Sequence, residues 1–183
     1  MKAITLAVCL ALIVPNSASA GLKLTGDAKP RHFKWAALAQ ARVPLPNERI
    51  RIISDYDPMY VPGTHFSTIY LPKAGWGGWT YMDERTLFYH ELGHSFDHAH
   101  MNKAERNSFR VLAGTSASWW NHNARWKDTN LKLAPAEMFG EMYASCAMGM
   151  TRESLTNKDI VSYGWVPPVG NDAAICELIR SAA

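Results

Sequence analysis

The sequence predicts an α+β fold in a single domain, and three observations carry that prediction. Two β-rich segments, 49–54 (RIRIIS) and 65–71 (HFSTIYL), lie in the first half of the chain. Helical spacing of apolar residues dominates from Asp83 onward, and the resulting order of helix, strand, strand, helices contains no repeat or low-complexity tract. A length of 183 residues suits one domain with its own core. Apolar residues at 48% and charged residues at 19% exclude a disordered chain or a coiled coil. A formal charge of +3 without any Lys/Arg-rich run argues against a nucleic-acid partner.

At the N-terminus, Lys2 precedes an apolar run over 4–14 (ITLAVCLALIV), which Pro15 and Asn16 break before Ala18-Ser19-Ala20. About eleven apolar residues are too few to span a bilayer. The pattern therefore reads as a signal peptide over 1–20, cleaved near Ala20, with a domain over 21–183. The expected destination is a periplasm or the exterior, with no membrane attachment after cleavage. Of three cysteines, Cys9 leaves with the signal, and Cys146 and Cys176 remain. In an oxidising compartment they are expected to form one disulfide, worth about 2–4 kcal/mol; two buried thiols are the alternative.

The mature chain begins with a loose segment over 21–29. A short helix is expected over 30–42, with Phe33, Ala36, Ala37 and Ala41 on one face and Pro44 and Pro46 ending it. The two strands follow, separated by turns at Asp57-Pro58 and Pro62-Gly63, and Pro72 stops the second. Trp76 and Trp79 flank a glycine-rich loop over 75–79. From Asp83, placed as a cap, a helix carries Leu87, His90, Glu91, His94 and His98 at helical spacing. Asn102 and Glu105 form a capping box for a second helix reaching about Ala113. A loop over 115–130 holds Trp119, Trp120 and Trp126; these and the earlier pair are either core packing or substrate contacts bordering a cleft. Pro135 suits the first position of a third helix running to about Met148, and a final helix covers 172–180.

The segment His90-Glu91-Leu92-Gly93-His94 carries the chemistry. Residues four apart share one helix face, so both imidazoles reach one metal while Glu91 lies beside it to handle a proton. Three protein ligands on zinc leave a position for water, whose pKa falls toward 7. The third ligand has two candidates. His100 lies six residues past His94, the metzincin spacing, but Asp97 stands where that pattern has glycine. Glu137 is the favoured choice, since it shares a largely apolar helix with Glu141, where unpaired carboxylates would be costly. Asp97 shares the face of His94 and is placed to accept from a ligand imidazole or to anchor the neighbouring chain. His98 reads as pocket wall or surface. Cys146, half a turn away from Glu137, faces away from the metal.

The segment 90–97 (HELGHSFD), followed by 137–141 (EMFGE), resembles the gluzincin metallopeptidases related to anthrax toxin lethal factor and the Pro-Pro endopeptidases. The resemblance covers the two helices and reaches the strands only by their order. It implies a small zincin domain holding one Zn2+ per chain through His90, His94 and Glu137, with Glu91 as general base and Glu141 supporting a ligand. Those families stabilise the oxyanion with a Tyr seven residues before the third ligand, and Asn130 occupies that position here. Tyr163, His122 and Arg125 are the candidates for that task.

Together these features lead us to expect a secreted, monomeric zinc endopeptidase acting on extended peptide or protein substrates, with 65–71 as the edge strand that pairs with them. Two other readings stand beside it: an exported zinc-binding interaction module without activity, and a zinc amidase acting on cell-wall peptides.

Overall fold

Strand β2 (Arg49–Ser54) and strand β4 (Ser67–Leu71) form the centre of a four-stranded sheet, because their alternating side chains turn Ile50, Ile52, Ile69 and Leu71 onto one buried face. The computed structural model describes residues 21–54, 59–65, 67–72, 81–120, 134–150 and 165–182. The expected signal peptide, the loop at 75–79 and Trp126 lie outside the described residues. The strand order is β1-β2-β4-β3, with β1 (Lys23–Gly26), β2 and β4 parallel and the short β3 (Met59–Val61) antiparallel to β4. With five helices among the described residues, this is the expected α+β class.

Two sequence expectations need correction here. Of the segment expected at 65–71, Ser67–Leu71 forms an interior strand, paired with β2 on one side and β3 on the other; the edge strand beside it is β3. Three residues between Pro58 and Pro62 are too few to show alternation. The N-terminal stretch is also no loose tail, since Lys23 to Gly26 pair with Arg49 to Ile52.

Helix α2 (Tyr81–His100) lies between the sheet and helix α4 (Pro135–Met148), on which it packs most extensively. Every residue of α4 from Pro135 to Ala147 is buried, with α1 (Pro30–Gln40), α3 (Lys103–Leu112) and α5 (Asn171–Ser181) around it. Pro135 takes the first turn of α4, and Asn102 and Glu105 exchange capping-box hydrogen bonds at the start of α3, both as the sequence predicts. Asp83 lies inside α2 and not at its cap. Cys146 on α4 and Cys176 on α5 form the expected disulfide, with Cα atoms 5.6 Å apart. Among the described residues no helix is long and apolar enough to cross a membrane.

Helix α1 departs from its expected register. Its inward face is His32, Trp35, Ala36 and Ala39, while Phe33 is 51% exposed. The reason is polar. Buried Glu84 on α2 accepts from Arg31 Nη2 at 2.7 Å and from His32 Nε2 at 2.9 Å, which turns His32 inward. His32 Nδ1 accepts from the Lys29 N–H at 3.1 Å, so the proton sits on Nε2 and the ring is neutral.

Burial pushes the His32 pKa below the usual 6.5, against the raising effect of Glu84. The unfolded chain therefore binds more protons near pH 6, and this contribution to stability is full above pH 6.5 and lost as pH falls below it. Thermal melts between pH 7.5 and 5.5 should show a larger acid loss in wild type than in His32→Gln. Equal slopes would contradict a buried neutral His32.

Candidate metal centre

Helices α2 and α4 bring together the residues that the sequence singles out. His90 and His94 project from one face of α2, and Glu137 lies in the first turn of α4 against them. Glu137 Oε2 lies 3.1 Å from His90 Nε2 and 3.5 Å from His94 Nε2. All three donor atoms fall within 4.8 Å of one another, and all three residues are buried. Donors bound to a tetrahedral ion at about 2.0–2.2 Å stand roughly 3.3–3.6 Å apart, so this group could hold a metal ion without rearrangement of its helices.

The remaining carboxylates frame the group. Glu141 Oε1 approaches His90 Nδ1 at 3.4 Å, on the side of the ring away from Glu137. Glu91 follows His90 on α2; the backbone N–H of Tyr60 on β3 faces its carboxylate, while Oε2 is buried without a protein hydrogen-bond partner. Three buried carboxylates thus share one site with two imidazoles, a balance that favours a divalent cation.

The electrostatics agree. Burial pulls the His90 pKa down, but Glu137 and Glu141 outweigh it and raise the pKa well above the usual imidazole value. Burial would raise Glu137, yet His94 and His90 hold it far below the ordinary carboxylate range. For Glu91 burial wins: its pKa is raised despite the opposing pull of His94 and His90.

His100 is not part of the group. Helix α2 stays regular through Asp97 to His100, so six residues of helical rotation carry His100 off the face of His94. Its Nε2 accepts from the Asn47 N–H at 3.3 Å and its ring stacks on Phe96. Asp97 takes the anchoring role: Oδ1 accepts from Arg106 Nε at 2.7 Å, and Oδ2 accepts from Trp119 Nε1 at 2.8 Å. His98 lies at the surface with its ring 6.4 Å from that of Tyr60. Asn130 and the oxyanion candidates Tyr163, His122 and Arg125 lie outside the described residues.

Three contributors are not foreseen from the sequence. Tyr60 reaches Glu91 through a backbone group, which side-chain identity does not reveal. Glu48 accepts from the hydroxyls of Ser67 and Ser95, tying β4 to α2 beside His94. Gly140 faces the His90 ring so closely that a Cβ there would come within 2.8–3.0 Å of three ring atoms. Its signal was visible: glycine inside a helix costs about 1 kcal/mol relative to alanine and calls for a close neighbour.

No protein-family model, curated protein or solved structure matches the chain.

Glu137→Gln should lower bound divalent metal from about one per chain to near zero, because an amide is a weak ligand. His100→Ala should retain it. Mass spectrometry of metal content checks both, and the reverse pattern would move the third ligand to His100.

Proposed function

We propose that the chain is a secreted zinc-dependent endopeptidase of the gluzincin type, acting as a monomer with one zinc per chain. The observation that carries this reading is Glu91, a buried carboxylate with a raised pKa and one unpaired oxygen, next in sequence to a ligand of a His90–His94–Glu137 group. A purely structural metal site has no need of such a base. The HELGH and EMFGE segments agree with it, and the disulfide suits an oxidising destination.

His90, His94 and Glu137 would hold the ion, two imidazoles and a carboxylate being a donor set that suits zinc. Zinc bound there supplies a Lewis acid that acidifies water and polarises a carbonyl. Glu141 keeps the His90 ring oriented by contact with Nδ1. Glu91 takes the proton of the attacking water and passes it to the leaving amine, a role for which a raised pKa fits. The Tyr60 N–H steadies Glu91 during that transfer.

Strand β3 replaces 65–71 as the peptide-pairing edge. It is paired on one side by β4, and Met59 and Val61 are exposed along it. An extended peptide adding to its other side would run past Glu91, which touches the same strand through Tyr60.

Glu91→Gln should keep one zinc per chain while peptide hydrolysis falls by at least about a hundredfold. Casein, a peptide library and purified peptidoglycan are assayed together. Activity retained by the variant would contradict the base assignment, and cleavage confined to peptidoglycan would make the protein a cell-wall amidase.

A further inference from the structure

The neighbours Trp119 and Trp120 have opposite surroundings. Trp119 is clamped: its Nε1–H donates to Asp97 at 2.8 Å and its carbonyl accepts from the Ala136 N–H at 3.1 Å. Its ring packs against Phe109 and Phe139, and the Arg106 guanidinium lies 5.6 Å above it. One residue is thereby fastened to α2, α3 and α4 at once. Trp120, next along the chain, is 38% exposed, with its ring 5.5 Å from the His94 ring and tilted by 40°.

Among the described residues, the metal group and the carboxylates that frame it are polar. His90, Glu91, His94, Glu137 and Glu141 are all buried, and each offers nitrogen or oxygen. Trp120 adds a partly exposed apolar face of indole size beside a ligand. Aromatic rings gain from offset or tilted stacking on such a face in addition to the area they bury. We infer that Trp120 is the apolar wall of the substrate subsite next to the metal, and that it selects substrates with an aromatic or large apolar residue beside the scissile bond. This rests on the peptidase reading. It also gives Asp97 a purpose: through Trp119 it positions the specificity-determining Trp120, not a ligand imidazole.

The test uses the zinc-loaded chain and two peptide hydroxamates that differ only in the residue next to the chelating group, Phe or Gly. Binding is read by calorimetry, without any need for turnover. Wild type should prefer the Phe compound by about tenfold or more, a typical discrimination for an apolar pocket. Trp120→Ala should reduce that preference to about twofold or less, leaving the Gly compound's affinity and the zinc content essentially unchanged. Trp120→Phe should restore most of the preference. A wild type without preference, or a Trp120→Ala variant that keeps it, would overturn the subsite. A chain that holds no zinc, or that binds neither hydroxamate while holding it, would overturn the peptidase reading and the subsite together.

Discussion

Helices α2 and α4 cross at two glycines, and the depth of that contact sets the distance between the halves of the metal group. A Cβ on Gly93 would lie 2.9 Å from Tyr143 Cβ and 3.1 Å from Gly140 Cα. A Cβ on Gly140 would strike the His90 ring. Neither glycine adopts a positive φ, so both serve close approach and not a turn. Two helix-interior glycines cost about 2 kcal/mol relative to alanine. The burial of α4 along almost its whole length, with Phe139, Met142 and Tyr143 in the core, offsets that cost. A wider crossing would leave Glu137 out of reach of both imidazoles.

Buried charge then fixes α2 in place. Three acidic side chains on this helix turn toward three different elements. Glu84 takes Arg31 and His32 from α1, Glu91 meets the Tyr60 amide on β3, and Asp97 takes Arg106 from α3. Breaking the Glu84 or Asp97 contact would be expensive, since it would strip a buried carboxylate of charged partners. The helix is therefore held from three sides while α4 approaches from the fourth. The disulfide ties α4 to α5 behind that contact, about half a turn away from Glu137. Rigidity of this kind is what a preorganised site requires.

What could be read from the sequence follows from how local each signal is. The pair His90 and His94 needs only helical geometry, and Pro135, Asn102 and Glu105 act within one turn, so these were legible. The choice of Glu137 over His100 depended on an energetic argument about buried carboxylates, and the geometry favours it. Pairing partners were not legible. Strands β1 and β3 have three or four residues and gain their identity from β2 and β4, and that pairing makes Ser67–Leu71 an interior strand and not an edge. The face of α1 is hidden from the sequence for a similar reason: His32 turns inward to reach Glu84, fifty-two positions away in sequence. Apolar periodicity alone carries no trace of that bond.

The most direct test of the helix crossing is zinc affinity in Gly140→Ala, measured by competition with a chromogenic chelator. Circular dichroism of the same sample establishes that the helices are retained. If the glycine contact holds His90 against Glu137, the added methyl displaces the ring and affinity falls by about 10- to 100-fold, as for loss of other groups that orient a metal ligand. A folded variant that binds zinc as tightly as wild type would show that the crossing does not set the site.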